Sequence, residues 1–312
     1  MPNAMTFVLL IIGFILLVKG ADLFVDGAGS LAAKLGIPPL VVGFTVVALG
    51  TSAPEAAITF AAAAHQAHGM AIANVLGSNI VNTLVILGIA ALVRELPVRS
   101  STFRVEMPVV LGVTALLLGL CLYDGQLSRA DALLLLACLG AYLCYLVRLA
   151  QRSQADEEPE LHAERKAGVL AALSVAGIAG VCVGADLVVE SAARIASALG
   201  LSDRVVGLTV IALGTSLPEL ATSVAAARKH QADLAVGGVV GSSILNVLFV
   251  LGVAGTIHPV PFAAELLMDG LVALGAMALL WIVCLRTRSL RRTGAFALLS
   301  GYAAYLMHLL AG

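Results

Sequence analysis

One fifteen-residue stretch occurs twice in this chain. Val41 to Glu55 reads VVGFTVVALGTSAPE and Val205 to Glu219 reads VVGLTVIALGTSLPE, twelve identities in fifteen positions at an offset of 164 residues. Each copy sets one carboxylate, Glu55 or Glu219, in an apolar run that also carries Gly, Thr, Ser and Pro. A lone carboxylate removed from water is costly, so a chain that keeps two at equivalent places is expected to use them together on something positive. The likeness extends at the same offset to GADLFV at Gly20 and GADLVV at Gly184, to GSNIVNTLVILG at Gly77 and GSSILNVLFVLG at Gly241, and to Pro97 and Pro261. Such a chain is built as two similar halves.

The medium follows from composition. With 60% hydrophobic and 12% charged residues, against about 25% charged in a soluble domain, this is an all-α polytopic membrane protein. At about 20 apolar residues per span, ten transmembrane helices are expected, near 5 to 33, 38 to 65, 70 to 93, 105 to 122, 128 to 149, 167 to 199, 204 to 227, 233 to 257, 264 to 285 and 293 to 311. The one long hydrophilic stretch, Gln151 to Lys166, reads as a cytoplasmic linker between a first repeat at 1–150 and a second at 167–312. Five spans per half is an odd number, so the second half enters the membrane in the opposite sense. Two inverted five-helix repeats result, the architecture typical of secondary transporters. No basic region or convincing cleavage site precedes Lys19, so the N-terminus reads as a retained span. Lys34, Arg94, Arg99, Arg104, Arg148, Arg152, Arg228, Lys229 and Arg286 to Arg292 crowd one side. By the positive-inside rule that side is cytoplasmic, and both termini lie outside the cytoplasm.

Within the first half, Thr51 and Ser52 stand four and three residues before Glu55, so their oxygens share a helix face. Ser78 and Asn82 do the same on the next span. Glu55 and Ser78 are nearly equidistant from the polar turn at His65 to Gly69, roughly 17 Å along a helix and about half the hydrocarbon thickness. The two groups therefore meet near mid-membrane. Thr215, Ser216, Glu219, Ser242 and Asn246 repeat the arrangement in the second half. Pro54 and Pro218 each free a carbonyl four residues back, that of Gly50 or Gly214, and disturb the turn. Every donor is oxygen, with neither His nor Cys among them, which favours hard ions such as Ca2+ and Na+ over Zn2+, Cu or Fe. Five cysteines without metal-ligand spacing read as small buried residues. Two glutamates across a repeat interface must hold cations or protons. One Ca2+, two or three Na+, or two protons would balance them.

At these residues the chain resembles the sodium/calcium exchangers of the cation/calcium exchanger superfamily, particularly their prokaryotic members, whose two signatures are the paired GTSxPE and GSxxxN elements. The resemblance implies a cation site made of the Ala48 carbonyl, Thr51, Ser52, Glu55, Ser78 and Asn82 with the Ala212 carbonyl, Thr215, Ser216, Glu219, Ser242 and Asn246. It also implies a ten-span fold in which the first and sixth helices slide past the other eight, and residence in a prokaryotic cytoplasmic membrane. Several relatives carry Asp where this chain has Asn246, so one carboxylate is missing and potassium coupling is disfavoured.

The expected function is a Ca2+/Na+ antiporter with the lipid bilayer as its medium and no cofactor. A cation/H+ antiporter using the same glutamates is the alternative. Neither HExxH nor GxSxG occurs, which argues against an intramembrane hydrolase, and carboxylates enclosed by hydroxyls favour occlusion over a passive channel. No nucleic-acid motif and no obligate protein partner is evident. Asp22, Asp26, Asp186 and Glu190 fit an ion entrance or ordinary pairing, as with Lys19, about equally well and stay outside the site.

Overall fold

A computed structural model describes residues 4–64, 70–156, 166–198 and 214–311. Among these, seven helices are long and apolar enough to cross a membrane: α1 (Met5–Leu35 within Ala4–Leu35), α4 (Met70–Val93), α5 (Thr102–Asp124), α6 (Arg129–Asp156), α7 (Ala167–Ala198), α9 (Ala232–Ile257) and α10 (Leu266–Cys284). An eighth span is bent, α2 (Leu40–Thr51) meeting α3 (Ala53–Ala64) at 51°. The segment expected at 204 to 227 is described as α8 (Leu217–Arg228), its earlier part lying outside the described residues, and the last segment is α11 (Arg292–Ala311). Helix α6 continues through Gln151–Asp156, which the sequence reading assigned to the linker. These residues include no Gly or Pro to stop a helix that leaves the apolar region.

Helix α1 ends on Gly36 at φ 63°, with the Ile37 and Gly36 amides donating to the carbonyls of Ala32 (2.9 Å) and Ala33 (3.2 Å). A side chain would be strained there, and Pro38 prevents the helix from resuming. Glycines also set how α1 meets α7. Gly13 faces Gly184, Gly20 faces Gly177, and Gly27 faces Ser174, so numbers rise along one helix as they fall along the other and the two run antiparallel. A Cβ on Gly20 would stand 2.7 Å from the Val181 nitrogen, closer than packing allows. Small residues at seven-residue spacing let the two backbones touch, as membrane helices require when lipid supplies no hydrophobic drive between them.

The middle of the molecule is α9, 94% of whose most apolar stretch is buried, beside α4 at 78%. Gly237 and Gly241 of α9 admit α2 at backbone distance. A Cβ on Gly241 would lie 2.7 Å from the Phe44 Cα.

The chain is not wholly α. Leu96–Pro97 pairs antiparallel with Ser289–Leu290, and Gln126–Leu127 with Val260–Pro261. A residue before proline is pushed toward extended backbone, which accounts for Leu96 and Val260. Each ladder ties one half to the other, and α5 separates the two, so they lie on opposite faces. The loops bearing Arg94 and Arg99 and those bearing Arg286 to Arg292 share a face, as the charge count expects.

Candidate functional site

The bend between α2 and α3 is made at Ser52 (φ −82°, ψ 9°), and its counterpart Ser216 (φ −90°, ψ 6°) precedes α8. Both sit in the sparsely populated bridge region, where chain direction changes and side chains are re-aimed. Pro54 and Pro218 follow inside the first turn, where a missing N–H costs little. Glu55 and Glu219 therefore occupy the first turns of α3 and α8. The positive ends of these helix dipoles face the two carboxylates and offset part of their charge.

The two halves meet at these turns. Ser52 Oγ donates to Glu219 Oε1 at 2.9 Å, a contact from one half to the other. Glu55 and Glu219 are close enough for their charges to interact, and Ser216 lies beside Glu55. Ser242 Oγ reaches the Ala48 carbonyl at 3.4 Å, a crossing that the bare backbone of Gly241 makes possible. Thr51 hydrogen-bonds back to the Val47 carbonyl at 3.0 Å. Ala48, Thr51, Ser52, Glu55, Ser78, Asn82, Ser216, Glu219, Ser242 and Asn246 are all buried.

Thr215 departs from its twin. It is only half-buried, and with Ala53, Pro54 and Pro218 it lines a cavity of about 1060 Å3 that also touches Asp186 and Glu190 of α7. Ala212 lies outside the described residues. Ser78 is buried on α4 and, among the described residues, hydrogen-bonds to no other member of the set.

The distinctive property of the cluster is unmet oxygen. Glu55 Oε2, Glu219 Oε2, Asn82 Oδ1, Asn246 Oδ1 and Ser216 Oγ are buried and lack a hydrogen-bond partner among the described residues. Four of the five can only accept. Buried acceptors left without donors cost about 1–3 kcal/mol each, and more when charged. Two nearby carboxylates and neutral amide and hydroxyl oxygens form a donor set that a hard cation satisfies.

Two features were missed from sequence. Asn79 bridges the halves, donating to the Ser243 carbonyl at 3.1 Å and accepting from Asn246 Nδ2 at 3.2 Å. That bond fixes Asn246 with its oxygen free. The signal was an Asn beside Ser78 whose counterpart at the 164 offset is polar as well. Asn82 and Asn246 each open a π turn, Asn82–Ile86 and Asn246–Leu251, a local widening often found at functional sites. A further buried carboxylate, Glu106, accepts from Tyr145 at 2.7 Å and stands apart from this cluster.

The family model described as sodium/calcium exchanger protein matches residues 5–148 and 169–311. The chain is 39% identical to a putative antiporter, CaxA, of Alkalimonas amylolytica, over 91% of each chain. It is 31% identical to the sodium/calcium exchanger MaX1 of Methanosarcina acetivorans, over 97% of this chain and 98% of that one. Inner membrane protein YrbG of Escherichia coli is 40% identical over 80% of this chain and 79% of its own. Among solved structures, the sodium-calcium exchanger NCX_Mj, soaked with Na+ and Ca2+, superposes with a TM-score of 0.83 at 29% identity, over 97% of this chain and 98% of that one.

Proposed function

The chain belongs to the sodium/calcium exchanger protein family, and from that premise we propose that it is a secondary active antiporter exchanging Ca2+ for Na+ across the membrane by alternating access. The cation site is built near mid-membrane from both halves: Ala48, Thr51, Ser52, Glu55, Ser78 and Asn82 with Ala212, Thr215, Ser216, Glu219, Ser242 and Asn246. The carrying observation is the hydrogen bond from Ser52 to Glu219 amid five buried oxygens that have no hydrogen-bond partner among the described residues. Two carboxylates accept one Ca2+ at neutrality or two to three Na+ with little excess. Competition for one cage converts the gradient of one ion into transport of the other.

The architecture proposed is ten spans in two inverted repeats of five. The antiparallel meeting of α1 with α7 supports it, because their contacts centre on positions related by the same 164 offset. The molecule is an integral membrane protein. We place it in the cytoplasmic membrane with both termini outside the cytoplasm, which the grouping of arginine-bearing loops on one face supports.

Isotope flux in proteoliposomes tests the reading. An outward Na+ gradient should drive Ca2+ uptake, and an imposed pH or K+ gradient alone should not. Uptake that follows the pH gradient and ignores Na+ would transfer the same glutamates to proton coupling. Unitary current steps would replace the exchanger with a channel.

A further inference from the structure

Two acidic pairs stand at equivalent places on α1 and α7, Asp22 with Asp26 and Asp186 with Glu190. Their surroundings differ. Lys229, in the turn between α8 and α9, donates to the Asp22 carbonyl at 2.8 Å and pairs with the Asp26 carboxylate at 2.7 Å, with the Asp22 carboxylate at 3.8 Å. On α7, Glu190 is paired within its own helix to Arg194, and among the described residues Asp186 and Glu190 line the large cavity that reaches Pro54, Thr215 and Pro218. The same difference runs along the helix faces. Thr51 and Val25 are 1% and 2% exposed, whereas their counterparts Thr215 and Val189 line the cavity. Among the described residues, one approach to the site borders a carboxylate-lined cavity. The equivalent approach is shut, with a lysine ammonium set between its two carboxylates.

We propose that Lys229 is the gate residue of the cytoplasmic access path. Its ammonium occupies, between Asp22 and Asp26, the place that an arriving cation takes once that path opens, and it ties α1 to the turn between α8 and α9. The inference rests on the exchanger reading above for its sense of direction. Lys229 is suited to the task because it is one charge on a flexible stem that can withdraw without breaking the backbone around it. Its partners are also suitable, since Asp26 is 63% exposed and Asp22 30%. Partly solvated pairs bias an equilibrium without locking it. Release of Lys229 leaves two carboxylates facing the cytoplasm, as Asp186 and Glu190 face the cavity now. The path thus changes from plugged to cation-attracting in one step.

Cys182 lines the open cavity and reports on it directly. In the full-length protein with the other four cysteines replaced, a membrane-impermeant maleimide added outside should label Cys182. Lys229→Met should slow that labelling by about two- to fivefold, the shift expected for losing a partly exposed ion-pair cluster. Val25→Cys, in a background lacking Cys182, should become correspondingly more reactive to reagent added inside. Lys229→Arg should retain the original pattern, and Asp26→Lys combined with Lys229→Asp should restore it. Should Lys229→Met fail to fold, Asp26→Asn removes one arm and should give the same reciprocal change at smaller size. Unchanged labelling at both positions in a folded variant overturns the gate. Labelling needs no ion gradient, so a wild-type protein with the reciprocal pattern but no Na+-driven flux sinks the exchanger reading and leaves the gate standing.

Discussion

Glu55 and Glu219 are both buried where the two halves meet, close enough for their charges to interact. Each keeps one oxygen without a partner, so neither is explained as a structural ion pair. Replacing either by Gln keeps volume and hydrogen-bonding capacity and removes one charge from the proposed cation cage. Glu55→Gln and Glu219→Gln should each lower Ca2+ exchange by about two orders of magnitude, the loss that goes with removing one partner of a buried charge pair. The measurement is Ca2+ flux beside a thermal melt of the purified variant. The melt should be unchanged or raised, since an uncompensated carboxylate is removed. A variant that still transports at the wild-type rate would remove that glutamate from the ligands. Ser52→Ala is a different matter, because it takes a donor from Glu219 and leaves both charges in place.

At the level of elements, the closest packing is the glycine seam between α1 and α7. A Cβ on Gly184 would stand 2.5 Å from the Leu17 nitrogen, and the atom in the way is backbone, which cannot rotate aside. Gly184→Ala should therefore cost about 1–3 kcal/mol by overpacking. Gly140→Ala on α6, where a Cβ meets nothing within 4 Å, should be neutral or slightly stabilising. Melting temperatures of the two variants in one detergent make the comparison, and equal effects would count against the seam. The spans themselves were legible from sequence because apolar runs of membrane length have few alternative readings, and most described helix ends fall within a few residues of expectation. The repeat also announced the cluster, since GTSxPE and GSxxxN put oxygens in apolar surroundings twice. The π turns at Asn82 and Asn246, the strand pairs and the role of Asn79 were not legible. A π turn depends on how a neighbouring helix crowds the backbone, and Asn79 matters through Ser243 and Asn246, each more than 160 residues away. Hydropathy carries no information on either.

Across the whole molecule, what must hold through the proposed transport cycle is the frame that joins the halves. On the arginine-rich face one ladder does this at Leu96–Pro97 and Ser289–Leu290, and Glu95 beside it accepts from the Ser289 hydroxyl and from Arg291 Nε at 3.0 Å. The same loop is anchored from below by Arg288, whose guanidinium lies 3.6 Å above the Phe103 ring, while Trp281 donates to the Phe103 carbonyl at 3.1 Å. The Ser289 hydroxyl first, and then Arg291, hold the Glu95 carboxyl below its ordinary range. A carboxyl depressed in the folded state contributes stability that is present above its unfolded value and lost as pH falls through the folded one. Melting temperature should therefore decline as pH is lowered below about 4.3, the unperturbed Glu value, and Glu95→Gln should flatten part of that decline while leaving neutral-pH flux nearly unchanged. The effect should be small and sensitive to salt, because the pair is solvent-exposed. A melt whose acid limb is identical with Gln at this position would show that the ladder stands without the charge. Its two backbone-paired residue pairs and the Phe103 platform would then carry the joint alone.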